Sequence, residues 1–512
     1  MAFAGMCVVV FAAYRWMSLR VGHAGAVPTT IYFFMCAVIA IAFFKTKYTD
    51  LPRAYALLLR LISAVLGVFV ILNYPDYPIL RANSPEVWTI VINIGFIVAI
   101  GGTLVGFARP SLAAIPALYI SWIMTVGAHH TGLKTNPLDV NPLIECTILL
   151  MIGAVANSIV ARSLFGRDLN ALIPLRQRTL SVFFVALGIH FGNYFYSAIE
   201  KITLNGGPLT WVLENDPARI MSVAVDNGHI PYQQHDQLTL LVHDMISEWH
   251  VVLAFLVLGA QLFSILAIAS RRLLILFTLI FDAMHIVIWL TVGANFWPWV
   301  GLNISILAAV RLLPKDAFSP SLRFVAVTSV ACSTIVFGTA HLGWYDTGAN
   351  NKQFHVAIDD KGREFLVPPN YFGFYSYTMG HMSYGMPFDG HFPTRTNGGS
   401  DYYAVLQKAI ACSFRPADMV TPVRKEADVI RRFVQAYHDN AVAQVDADGH
   451  PPTGVRIHHF WMPSALTEPF YSLDLRTVVA YRHVVESVCL TRGDKGFERT
   501  VKARSEMIID VR

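Results

Sequence analysis

Apolar runs long enough to carry a helix across about 30 Å of hydrocarbon, roughly 20 residues each, follow one another along the first two thirds of the chain. They cover residues 27–44, 55–74, 88–107, 112–128, 143–160, 180–199, 238–269, 273–294, 297–313 and 323–340. The run at 238–269 is too long for one perpendicular crossing, so its first part is expected above the bilayer or tilted into it. The leading stretch, residues 2–14, is short and runs into Arg15 and Arg20. It either spans or lies at the interface, and it lacks the basic start and small-residue cleavage site of a signal peptide.

Beyond His341 the pattern changes. Residues 425–441 place Val429, Ile430, Phe433, Val434 and Tyr437 at helical spacing. Residues 477–490 and 497–511 are β-branched and partly alternating, which predicts strands. Asp359-Asp360-Lys361-Gly362 reads as a hairpin turn. Residues 371–400, dense in Gly, Tyr, His and Pro, read as an ordered loop packed on the membrane face. The expected architecture is an all-α polytopic membrane bundle of about 10–11 transmembrane helices over residues 1–343, with a C-terminal exported α+β domain over 344–512.

Composition agrees. The chain of 512 residues is 54% hydrophobic and 14% charged, whereas soluble domains are about a quarter charged. The lipid bilayer is therefore the first partner. The net charge of +5 lacks the basic stripe with interleaved aromatics that nucleic-acid binding needs, which excludes that class. The basic residues instead fall in alternate loops: Lys45, Lys47 and Arg53; Arg109; Arg162, Arg167, Arg176 and Arg178; Arg271 and Arg272; Arg311, Lys315 and Arg323. The intervening loops are neutral or, at 200–236, acidic. Positive charge marks the cytoplasmic side, so the chain is expected in a plasma or inner membrane with the tail extracytoplasmic. Cys7, Cys36, Cys146 and Cys332 sit in or near apolar runs and read as small core residues. Cys412 and Cys489, both in the exported tail, are a candidate disulfide, with two separate buried thiols as the alternative.

Ionisable side chains in lipid need a partner or a task. In IHFGNYFYSAIEKI, a helix puts His190, Asn193, Ser197 and Lys201 on one stripe, with Glu200 about 80° away. Lys201 is then either a helix-end cation reaching the headgroups or a base at the mouth of a polar cavity. In LLVHDMISEWHVVLAFLVLGAQLFS, His243, Ser247, His250 and Gln261 share a face, with Asp244 and Glu248 off it; an amphipathic turn at the interface is the plainer account. In FDAMHIVIW, Asp282 and His285 lie one turn apart in mid-segment, where a mutually satisfied pair joining helices is the plainer account. The histidines have no H-E-x-x-H or C-x-x-C-H spacing, so a metal or haem rests on composition alone.

NYFYSAIEKI followed by Trp211, LTLLVHD ahead of a long apolar helix, and FDAMHIVIWLTVGANF as the next helix together resemble the horizontally transferred transmembrane (HTTM) superfamily. Its best-known member is the vitamin K-dependent γ-glutamyl carboxylase. The resemblance covers residues 180–313 well and the earlier helices in pattern only. It implies an exported C-terminal domain, a lipid quinone or hydroquinone as cofactor, and Lys201 at the position of the base that deprotonates the hydroquinone. It places His243 at a histidine that opens a glycine-rich segment, where this chain has Asp244, Met245 and Ile246 instead. The exported domain is far shorter than the carboxylase's, so recognition of a propeptide-bearing substrate does not carry over.

The leading expectation is a quinol-dependent, carboxylase-like lyase or oxidoreductase. Lys201, His243, His285 and Asp282 would be catalytic, and His190, Asn193, Ser197, His250 and Gln261 would line the cofactor site. An exported peptide or protein would be its substrate. Beside it stand a non-catalytic maturation or scaffold protein for an exported partner and a haem or metal electron carrier. A transporter ranks last, since no internal repeat or broken helix is evident.

Overall fold

The computed structural model describes residues 1–74, 86–133, 140–162, 175–232, 235–376, 379, 387–393, 398–419, 427–451 and 465–511. Of the residues singled out above, Arg167, Lys425 and parts of the loop at 371–400 lie outside them. Helices dominate the first 336 residues: α1 (Ala2–Ala24), α2 (Ala26–Ala42), α3 (Arg53–Asn73), α4 (Glu86–Gly106), α5 (Ile115–Thr131), α6 (Asn141–Arg162) and α7 (Leu175–Thr203). There follow α8 (Thr210–Glu214), α9 (Pro217–Asp226), α10 (Asp236–Glu248), α11 (His250–Leu262), α12 (Arg271–Val292), α13 (Trp297–Val310), α14 (Pro320–Ala331) and α15 (Ser333–Val336). Among the described residues, 8 helical stretches are long and apolar enough to cross a membrane, α1 among them, and α2, α13 and α14 are shorter apolar helices.

Two expectations are corrected, the shared face of His243, Ser247, His250 and Gln261 and the end of the last run. The run at 238–269, too long for one crossing, breaks at Trp249 (φ −99°, ψ 12°), which separates the amphipathic α10 from the apolar α11 and its 3-10 continuation Phe263–Ala269. Gln261 therefore does not continue the face that carries His243 and Ser247. The last run ends its helix early, since Phe337 turns extended (φ −104°, ψ 160°).

The basic loops gather at one end of the bundle. Arg162 donates to the Lys45 carbonyl at 3.1 Å, Arg109 lies over the Phe44 ring, and Arg60 donates to the Phe107 carbonyl at 2.8 Å. Arg271 bonds the Leu313 carbonyl, and Arg178 lies over the ring of Phe3, which brings the start of α1 to the same end. Arg15, into which the leading apolar stretch runs, is not a loop residue. It lies inside α1 and pairs with Glu145 of α6 at 3.4 Å.

α7 is the central helix, and its closest neighbour is α14. Gly188 and Gly192, one turn apart, let α7 approach α14 and α15 closely: a Cβ at Gly188 would overlap Ser329, and one at Gly192 would overlap Ser333. This is the small-residue packing that joins helices in lipid.

Residues 337–342 leave α15 without forming helix or strand, and polar groups from Val336 to Leu342 are bonded by side chains from both flanks. Arg15 donates to the Val336 carbonyl at 2.7 Å; Glu145 accepts from Gly338 N–H at 2.8 Å, and Asn141 donates to the Gly338 carbonyl at 3.2 Å. On the α7 side, Asn193 accepts from Ala340 N–H at 2.6 Å and Ser197 from Leu342 N–H at 3.2 Å, while Lys201 donates to the Leu342 carbonyl. Backbone that leaves a helix beside the membrane must find such partners.

The remainder forms a sheet domain. β2 (Ala349–Asp359), β3 (Glu364–Leu366), β5 (Val478–Gly493) and β6 (Gly496–Asp510) make an antiparallel sheet in the order β3-β2-β5-β6, and the two-residue strands β1 (Tyr345–Asp346) and β4 (Gly399–Ser400) pair separately. The turn after β2 is the hairpin expected: Asp359 accepts from Lys361 N–H at 3.0 Å and Arg363 N–H at 2.8 Å, and Gly362 takes φ 74°. Two helices, α16 (Tyr403–Ile410) and α17 (Ala427–Val442), accompany the sheet, and α17 buries Ile430, Phe433, Val434 and Tyr437. Tyr371 and Phe372 pack on Tyr437 with ring centroids 5.1 Å apart in each case, and Tyr371 also on Tyr481. That part of the 371–400 loop fills this domain's own core rather than lying on the membrane face. Cys412 and Cys489 form a disulfide, with Cα atoms 5.9 Å apart.

The sheet domain rests on the polar connection between α7 and α11. Lys352 and Arg499 reach Asp226 of α9 at 3.3 and 2.9 Å, and Arg492 reaches Asp244 of α10 at 3.0 Å.

Candidate functional site

The candidate residues fall into three separate groups. The first lies between α7, α12 and α13, among the membrane-length helices. His190 Nε2 meets Asn303 Oδ1 at 2.6 Å, and Asn303 Nδ2 donates to Asp282 Oδ1 at 2.8 Å. One hydrogen-bonded chain thus ties three helices together. Asp282 and His285 do not satisfy each other: Asp282 bonds Asn303, whereas His285 stacks on Phe296 with centroids 5.1 Å apart.

Aromatic rings wall this group. His190, Tyr194 and His285 each meet the Trp299 ring edge-on, at 5.6, 5.4 and 5.6 Å, and Tyr194 stacks on Phe281 at 3.6 Å. His190, Asn303 and Tyr194 are 0%, 0% and 2% exposed. His190 Nδ1 and His285 Nδ1 are buried and find no hydrogen-bond partner among the described residues. Buried polar atoms without partners are rare and call for a reason. Asn303, Tyr194 and Trp299 were missed in the sequence. An asparagine inside the apolar run WPWVGLNISIL was the available signal for the first.

The second group is the far end of the α7 stripe. Lys201 is 7% exposed and turned inward. Its ammonium donates to the Leu342 carbonyl and to Ser197 O at 3.4 Å, and lies 5.2 Å from the centroid of the Trp211 ring. Glu200 engages His341 at 2.8 Å instead of Lys201. Asn193 and Ser197 hold the same segment. Lys201 follows His190 by 11 residues of helix, about 16 Å along the axis at 1.5 Å each, so the two groups do not share one small pocket.

The third group lies at the seam between bundle and sheet domain. His243 is buried against Phe497 of β6, centroids 5.1 Å apart, and its Nδ1 meets Asp244 at 3.2 Å. His250 Nδ1 bonds the Ser247 carbonyl at 2.6 Å, and Ser247 donates to Asp216 at 2.7 Å. Glu248 is exposed, and Gln261 is buried in α11 away from these residues. Nearby, Asp346 accepts from Asn215 at 2.7 Å and from Trp344 Nε1 at 3.0 Å. Burial holds the Asp346 carboxyl up at about 6, against the pull of those bonds and of the Lys201 and Arg219 charges.

Histidines of the bundle do not gather into a three-ligand metal set among the described residues. The one such gathering is Asp446, Asp448 and His450, in the sheet domain. No protein-family model, curated protein or solved structure matches this chain.

Proposed function

We propose that this membrane protein belongs to the HTTM superfamily and holds the ring of a lipid-soluble quinol among His190, Tyr194, His285 and Trp299, acting as a quinol-dependent enzyme on an exported peptide or protein. One observation carries the reading: two polar atoms with no hydrogen-bond partner among the described residues, His190 Nδ1 and His285 Nδ1, lie among the rings of Tyr194, Phe296 and Trp299 between membrane-length helices. A quinol presents flat apolar faces and two oxygens at its rim, which suit stacking rings and imidazole nitrogens. Orientation is supported by the basic end of the bundle and by the Cys412–Cys489 disulfide in the sheet domain, a bond that persists in oxidising compartments. The sheet domain is then extracytoplasmic, and the seam is where a water-borne substrate would meet the bundle.

A second reading keeps Lys201 as the base, as the family resemblance implies. It is favoured by the pairing of Glu200 with His341, so that the buried ammonium bonds a carbonyl and faces a ring, with the Asp346 charge acting on it from nearby.

Mass spectrometry of lipids extracted from the purified protein tests the proposal. A quinone should accompany the wild type and Lys201→Met but not His285→Leu. Loss from Lys201→Met alone would move the ring to the second group. A Soret band in place of a quinone would favour the electron carrier, and neither would leave the scaffold.

A further inference from the structure

The chain Asp282–Asn303–His190 has a direction set by its first member. A carboxylate only accepts hydrogen bonds. Asn303, 2.8 Å from Asp282, must therefore present its Nδ2 there, which turns its Oδ1 toward His190 Nε2 at 2.6 Å. An amide oxygen accepts as well, so His190 must carry its hydrogen on Nε2. A neutral imidazole has one N–H, and Nδ1 is then a bare lone pair.

We infer that Asp282 is a positioning residue which, acting through Asn303, fixes the tautomer of His190 and makes its buried Nδ1 an acceptor for a donating O–H or N–H of the bound molecule. The inference rests on the site proposed above, but concerns a proton position that exists without ligand. His190 Nδ1 has no hydrogen-bond partner among the described residues, and its ring is fenced by Phe191, Tyr194 and Trp299. Each link is buried or half-buried, so water does not compete for the chain's polarity.

The test is magnetic resonance of the full chain in lipid bilayers, with nitrogen-15 histidine and His190 assigned through His190→Gln. In the wild type the His190 spectrum should show a protonated Nε2 and an unprotonated Nδ1. In Asp282→Asn the new amide can donate to Asn303, which is then free to rotate, and the unprotonated signal should shift partly or wholly to Nε2. A wild-type His190 carrying its hydrogen on Nδ1 overturns the inference with no variant needed. So does an unaltered tautomer in an Asp282→Asn protein whose His355 and His483 signals match the wild type, since a merely structural carboxylate would leave the His190 proton in place. Failure to find a quinone would sink the function proposed above while leaving this assignment standing.

Discussion

Replacing Lys201 by methionine separates a structural clamp from a base. Methionine keeps most of the stem and deletes the ammonium, so the Leu342 carbonyl loses its charged donor and Trp211 loses the cation at 5.2 Å. Hydrogen bonds to charged groups contribute about 1.5–3 kcal/mol, and a partly desolvated cation–ring contact about 1 kcal/mol. The two overlap, so about 2–3 kcal/mol of local stability should go. Ser197 still accepts from Leu342 N–H, so the segment should open locally and not unfold the bundle. Hydrogen exchange of peptides covering residues 338–344 measures this: the Leu342 amide should exchange roughly 30- to 150-fold faster, at tenfold per 1.4 kcal/mol. Lys201→Arg retains a donor and a charge and should recover much of the protection. A proton-abstracting role would be lost in arginine all the same. Unchanged exchange in Lys201→Met would refute the clamp, and restored protection without restored activity in Lys201→Arg would establish the base.

Arg15→Met leaves Glu145, 5% exposed, beside Gly338 N–H alone and should cost about 2–3 kcal/mol in thermal unfolding, because removing one partner strands a buried charge. Adding Glu145→Gln should return most of that loss. Reducing the Cys412–Cys489 disulfide, which closes a separation of 77 residues, should destabilise the sheet domain by up to about 4 kcal/mol; identical gel mobility and denaturation before and after reduction would contradict the pairing. A cysteine placed at Gly449 should react with an impermeant reagent in intact cells, and labelling solely after permeabilisation would reverse the topology. Acid should loosen the sheet domain. Burial holds His355 well below its usual range and brings His438 down to about 4. Both take up protons on unfolding between about pH 6.5 and 4, so stability falls as pH falls through that window. His438 alone accounts for on the order of 3 kcal/mol, while Asp346, raised to about 6, acts in the opposite sense. A flat denaturation midpoint from pH 7 to 4.5 would contradict this.

Most of the helices were legible in the sequence because a membrane helix declares itself locally. Its length, apolarity and flanking charge are properties of one continuous segment, which is why α3 to α7 start and stop close to where the pattern places them. β5, β6 and the Asp359 turn were legible for the same reason. What the sequence did not reveal were pairings between segments distant along the chain. Arg15 marked only the end of a short apolar stretch, and its partner Glu145 lies in another helix 130 residues on. The polar stripe of α7 was visible as His190, Asn193, Ser197 and Lys201, but a stripe has no label for what it faces.

The tertiary structure divided that stripe: His190 meets Asn303 and Asp282 deep in the bundle, whereas Asn193, Ser197 and Lys201 hold the backbone at 340–342. The physical reason is the same in both places. Burial removes water as a partner, so most polar groups of the stripe bond what the fold brings within about 3 Å, His190 Nδ1 being the exception. Helical periodicity fixes which residues share a face, and the contact of α7 with α13 and with the segment 337–342 decided what each would meet.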